Sequence, residues 1–196
     1  MGHQVYKITF QKDKHLYFNE QGKEVPSVSE ILRHFGIINL GYVDGVVLEK
    51  ACNFGTNVHE TCELYDKDDL DSCDPKIEPY LEGWKKFRKA HPFELDLIEK
   101  PLYSKVWGFA GTPDRVMCGT VIDIKSGAKA VSHALQLAFY FILVDENFPD
   151  WRVNARMAVY LKENKYKIEQ FKDKTDISLA KSMLQIYGWK RKAGLL

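Results

Sequence analysis

Asp123 and Lys125 lie two residues apart in the apolar stretch Val121-Ile122-Asp123-Ile124-Lys125. In a β-strand that spacing puts both side chains on one face. A second carboxylate, Asp114, precedes them in Trp107–Cys118, which also reads as a strand. Cys118-Gly119-Thr120 between the two supplies a tight turn, so the pair reads as a hairpin. Charges in an apolar strand are costly unless partnered, and two close carboxylates repel. A divalent cation between Asp114 and Asp123 would remove that repulsion and account for the ammonium beside them. The other solution is an Asp–Lys ion pair, and spacing alone does not choose between the two.

Two helical stretches carry further candidates. Gly55, His59 and Glu63 are spaced i, i+4, i+8 and share one helix face, with Gly55 small enough to let that helix approach a sheet closely. A single His on a helix is more often structural than a ligand. Glu63 is a weaker candidate, near a metal or in a surface salt bridge. Gln136 and Tyr140 are spaced i, i+4 in the apolar stretch Val131–Val144, which reads as a helix. On their own they fit a buried helix with a few polar residues.

In chain order these pieces are Gly55-Thr56-Asn57-Val58-His59-Glu60, Gly111-Thr112-Pro113-Asp114, Asp123-Ile124-Lys125 and Gln136-Leu137-Ala138-Phe139-Tyr140. Together they resemble the PD-(D/E)XK nuclease superfamily, in its RecB-like, phage-type exonuclease branch. That branch carries a G-x-x-x-H helix, an Asp, a D-x-K strand and a Q-x-x-x-Y helix in the same order. The matches span residues 55–140. Asp123 stands where Glu is the alternative in the motif, and either side chain offers carboxylate oxygens. His15–Leu32 also resembles the N-terminal segment of the phage-type exonucleases.

The resemblance implies an α/β fold: a central mixed β-sheet flanked by helices on both faces, the restriction-endonuclease-like core. It implies a divalent-metal-dependent deoxyribonuclease, an exonuclease of phage recombination or DNA processing. His59, Asp114, Asp123 and the backbone carbonyl of Ile124 would hold the metal. Lys125 would act with Asp114 and Asp123 in catalysis, and Gln136 and Tyr140 would order the site or touch DNA. Oxygen ligands suit Mg²⁺, and one imidazole suits Mn²⁺ equally well. The alternatives are a structure-specific endonuclease or junction resolvase, and a DNA-binding module without catalysis. A homo-oligomer or a phage recombination partner stays open.

Other features bound this reading. The G-x-x-x-x-G-K-[ST] phosphate loop is absent from the sequence, so no ATP is expected. Some branch members hold an iron–sulfur cluster through a Cys group near the C-terminus. Here no Cys follows Cys118, so no cluster is expected, and Cys52, Cys62, Cys73 and Cys118 read as free thiols of a reducing cytoplasm. The 196 residues suit one nuclease domain (1–196), with an N-terminal hairpin and helix over 1–40 and a catalytic core over 55–171. A net charge of +1 neither favours nor opposes a nucleic-acid partner, because a nuclease needs only a local basic patch. No apolar run reaches membrane-spanning length and no secretory leader is evident, so the expected location is the cytoplasm of a bacterium or phage-infected cell.

The elements that must position these residues follow from pattern. Val5–Phe10 and Leu16–Phe18 read as paired strands. Ser27-x-x-Glu30 is a capping box opening a helix over Val28–Phe35 that Gly36 ends. Helices are expected over Val43–Asn53, Gly55–Tyr65 and Pro75–Ala90, with a solvated acidic loop at Asp66–Asp74. In the third of these helices Trp84 and Phe87 face inward, while Lys85, Lys86, Arg88 and Lys89 face solvent or phosphates. Phe93–Val106 should hold a strand carrying Glu99. Trp151–Lys162 and Tyr166–Phe171 form a hairpin, and Thr175–Lys192 forms a last helix.

Overall fold

The computed structural model describes residues 5–39, 41 and 43–196. Of the N-terminus read above for a leader, residues 1–4 lie outside the described residues. The chain opens with a meander of β1 (Ile8–Gln11), β2 (Leu16–Asn19) and β3 (Glu24–Val25). Helix α1 (Val28–His34) follows; Ser27 Oγ accepts from Glu30 N–H at 3.1 Å, and the next turn ends at Gly36 with φ +69°. Only half of the capping box forms. The Glu30 carboxylate instead accepts from Tyr187 Oη at 2.5 Å, joining α1 to the last helix.

Helix α2 runs unbroken over Gly45–Asp66, where two helices were expected. A Gly inside a helix costs about 1 kcal/mol but does not interrupt the hydrogen-bond ladder. The helix faces Ser126 at the end of the D-x-K strand, but a Cβ on Gly55 would stand 3.7 Å from Ser126 Oγ, an ordinary contact, so the packing does not require Gly there. Helix α3 spans Glu78–Ala90 and starts later than expected, with Pro79 in its first turn, where the missing N–H costs nothing. Gly83 is a stricter requirement. A Cβ there would come 2.5 Å from the Lys165 carbonyl oxygen, so α3 rests directly on neighbouring backbone.

Strands β4 (Leu97–Ile98), β5 (Leu102–Ser104), β6 (Phe109–Gly111), β7 (Arg115–Met117) and β8 (Thr120–Lys125) follow. The expected continuous strand Trp107–Cys118 is therefore two strands in two sheets. β6 pairs with β5 in a separate ribbon, and Thr112-Pro113-Asp114 carries the chain across to β7. Pro113 has no N–H for a ladder, which makes the break there inexpensive. The turn into β8 is as expected, with Cys118 and Gly119 at φ +47° and +70°.

Helix α4 (Ser132–Asn147) then crosses over to β9 (Ala155–Lys162), which pairs parallel with β8, as a crossover helix allows. β10 (Lys165–Gln170) returns antiparallel about Asn164 (φ +55°), and α5 (Thr175–Lys192) closes the fold. The main sheet has five strands in the order β10-β9-β8-β7-β4, antiparallel except at β8–β9. Helices lie on both faces, as expected. Ile122, Ile124, Val159 and Leu161 pack on α2 and α3 through Val58, Trp84 and Phe87, while Val121, Ala158 and Tyr160 face α1, α4 and α5. Alternation along β8 therefore turns Asp123 and Lys125 toward α4.

Candidate metal centre

Asp114 sits just before β7, and its Oδ2 accepts from Ile124 N–H at 2.6 Å. That bond ties it to β8 between Asp123 and Lys125. In a strand the N–H and C=O of one residue point to the same side, so the Ile124 carbonyl is directed to the Asp114 edge as well. His59 reaches the same place from α2. Its Nδ1 is 3.4 Å from Asp114 Oδ2 and 3.5 Å from Glu99 Oε1. One ligand atom each from His59, Glu99 and Asp114 lies within 4.8 Å of the others, a spacing that could hold a metal ion.

Glu99 was placed on a strand by sequence but not counted as a ligand. It follows β4 directly with φ +41°, an unusual backbone state for Glu. Arg115 holds it there: Nη1 donates to Glu99 Oε1 at 2.9 Å and to the Asp114 carbonyl at 2.7 Å, while Nε donates to Asp66 Oδ2 at 2.8 Å. Arg115 is fully buried over the Trp84 ring. Asp66 also accepts from Trp84 Nε1 at 3.0 Å and lies 3.4 Å from Arg88 Nε. The solvated loop expected at Asp66–Asp74 thus begins with a residue whose carboxylate is buried. The basic group of α3 is also less free than expected, since Arg88 faces Asp66, Lys85 pairs with Glu82, and Lys86 donates to the Asn164 carbonyl. Glu63 pairs with Lys67 at 2.6 Å, the salt-bridge reading of that residue.

Asp123 is 1% exposed. Lys125 Nζ stands 2.7 Å from its Oδ2, so the ion pair does form, yet neither carboxylate oxygen receives a well-directed hydrogen bond. Lys125 Nζ instead donates to Gln136 Oε1 at 3.0 Å, and Gln136 Nε2 donates to Tyr140 Oη at 3.1 Å. The two α4 residues therefore share a face, as their spacing predicts, and that face meets Lys125.

Burial sets the charge states here. It raises the pKa of Asp123 and of Asp114; Lys125 opposes this at Asp123, and His59 opposes it at Asp114. Burial works against the charge on His59 and Lys125, but the carboxylates outweigh it. Asp114 and Glu99 push His59 up to about 9, and Asp123 with Asp114 raises Lys125. Burial, ahead of the nearby carboxylates, holds Tyr140 well above its ordinary value.

No family model and no curated relative matches the chain. Among solved structures, a protein from Eubacterium rectale described as a "Putative exonuclease" matches 73% of this chain and 69% of its own, with a TM-score of 0.53 and 11% identity. At that identity the likeness is one of fold. The chain has a nuclease-like α/β core, with a His–Glu–Asp group able to hold a metal.

Proposed function

We propose that this protein is a divalent-metal-dependent DNA nuclease. The observation that carries the reading is the His59–Glu99–Asp114 group, whose ligand atoms lie within 4.8 Å of one another, with buried Asp123, partnered among the described residues by Lys125 alone, acting electrostatically on Asp114 and His59. Neighbouring buried carboxylates repel each other and are costly to hold ionised, and a divalent cation would relieve that. The donors are carboxylate oxygens, one imidazole and the Ile124 carbonyl, with no thiolate, a set that fits Mg²⁺ or Mn²⁺. His59, Asp114, Asp123 and Ile124 would hold the ion, with Glu99 added to that set. Such an ion supplies Lewis acidity toward the phosphodiester and its attacking water.

The chain's own groups do the rest. Lys125, kept as an ammonium by Asp123 and Asp114, orients the attacking water and offsets charge building on phosphorus. Gln136 fixes the direction of that ammonium, and Tyr140 fixes Gln136 as a neutral phenol. Glu99, held by Arg115, keeps His59 in position.

The finer reading is an ATP-independent exonuclease of phage recombination or DNA processing, with DNA as partner, working inside the bacterial or infected cell. Among the described residues no helix is long and apolar enough to cross a membrane. The test is end-labelled linear, circular and forked DNA with Mg²⁺ or Mn²⁺. A ladder shortening from the ends, with the circle intact, is expected. Cleavage of the circle or only at the fork would make it an endonuclease or resolvase. DNA binding with no cleavage of any substrate would make it a binding module.

A further inference from the structure

Tyr160 is the register partner of Lys125 on β9, so the two side chains stand together on the α4 face of the sheet. The Tyr160 hydroxyl is buried and bonds His133 Nδ1 at 2.9 Å, with the two rings 5.7 Å apart. His133 lies three residues before Gln136 and seven before Tyr140, on the same face of α4. The row His133, Gln136, Tyr140 therefore continues past Lys125, and its outermost member is half-buried. With Nδ1 taken by Tyr160, Nε2 is the nitrogen left to meet a ligand. Lys129 adds a charge at the same edge. Its Nζ lies 5.3 Å from the centre of the Tyr160 ring and 2.9 Å from Glu169 Oε2. Burial, then Lys125, lowers the pKa of His133, so it would meet a phosphate as a neutral imidazole donating from Nε2.

A DNA strand whose scissile phosphate sits at Asp114, Asp123 and Lys125 carries further phosphates, and a nuclease gains both affinity and register by holding one of them. We infer that His133, oriented by Tyr160 and assisted by Lys129, is a substrate-positioning residue that takes the phosphate next to the scissile one. Resting on the nuclease reading, this adds a second phosphate subsite on the Tyr160 side of Lys125. Local pattern carries no sign of it, because His133 and Tyr160 are 27 residues apart.

The experiment uses oligonucleotides each carrying one neutral methylphosphonate linkage, scanned along the strand. Binding is measured by fluorescence anisotropy with Ca²⁺, and cleavage with Mn²⁺ on the same set. Neutralising one linkage beside the cleaved one should weaken binding to the parent about tenfold, the scale of one hydrogen bond to a charged group. His133→Ala should bind all-phosphate DNA about tenfold more weakly, yet lose nothing further at that linkage. Tyr160→Phe keeps the ring and drops only the hydroxyl, and should reproduce part of the loss. In cleavage, KM should rise more than kcat falls. If His133→Ala keeps the parent's sensitivity at every linkage, or binds as the parent does, the inference is overturned. If the parent cuts nothing but His133 still couples to one linkage, the phosphate subsite stands and the nuclease reading falls.

Discussion

On the reading proposed here His59 links protonation, folding and metal binding, and the protein in EDTA isolates the first two. Its imidazole sits 3.4 Å from Asp114 and 3.5 Å from Glu99, which raise its pKa from 6.5 to about 9 against the opposing effect of burial. A group with a folded pKa above its unfolded one adds stability that is complete below the unfolded value and lost as pH rises through the folded one. For His59 that window runs from pH 6.5 to about 9, and the full contribution is about 3 kcal/mol. Urea unfolding in EDTA should therefore show stability falling by roughly 2 kcal/mol between about pH 6 and 8.5. His59→Gln should flatten that slope. A metal ligand must be neutral imidazole, so the stability added by Mn²⁺ should grow over the same interval, opposing the slope seen in EDTA. If the His59→Gln variant keeps the parent's slope in EDTA, His59 is not the charged partner of Asp114 and Glu99. If Mn²⁺ adds the same stability at both pH values, His59 is not a ligand.

Asp123→Ala should lower cleavage by more than about 10²-fold while the melting temperature in EDTA holds or rises, since it removes a buried carboxylate whose oxygens lack directed donors; parental cleavage by this variant would remove Asp123 from the site. Lys125→Ala should keep Mn²⁺ binding by calorimetry and lose about 10²–10³-fold in single-turnover rate, and Lys125→Arg should recover little, because guanidinium cannot reproduce the short reach to Asp123 and Gln136. Glu99→Gln should weaken Mn²⁺ affinity by at least about tenfold and bring the His59 pKa down, read by NMR titration in EDTA; an unchanged Mn²⁺ affinity would return Glu99 to a structural role with Arg115.

Features written into local pattern were legible. The β9–β10 hairpin, α5 and the apolar α4 follow from turn residues and periodicity, and the Asp123–Lys125 face follows from alternation in β8. What sequence hid depends on distant contacts. Asp66 opens an acidic run and reads as solvated, but Arg115, 49 residues on, makes it a buried anchor. Glu99 joins the His59 group because a positive φ and the same Arg115 turn it inward, and neither has a local sign. The split of Trp107–Cys118 into β6 and β7 had a signal in Pro113, which cannot serve a central ladder. Gly55 suggested a helix start because Gly is common at helix boundaries, yet α2 runs through it.

Ion pair and metal site are competing explanations of Asp123 and Lys125, and on the reading proposed here they are two states of one arrangement. An ion pair selected for stability alone would be expected to satisfy both carboxylate oxygens and to avoid a second carboxylate nearby. Here Lys125 approaches one oxygen of Asp123 off the hydrogen-bond direction and spends its directed bond on Gln136. Asp114 acts against the ionised form of Asp123, and the Asp114–Ile124 bond fixes this neighbour in place. Arg115 could neutralise the carboxylates but is turned away, holding Asp66, Glu99 and a backbone carbonyl. The fold thus pairs Arg115 with Glu99 and Asp66, and leaves the His59 imidazolium and the Lys125 ammonium facing Asp114 and Asp123. On the reading proposed here, a divalent ion would take the place of the His59 proton between these carboxylates, and Gln136 would keep Lys125 aimed once Asp123 turned to the ion.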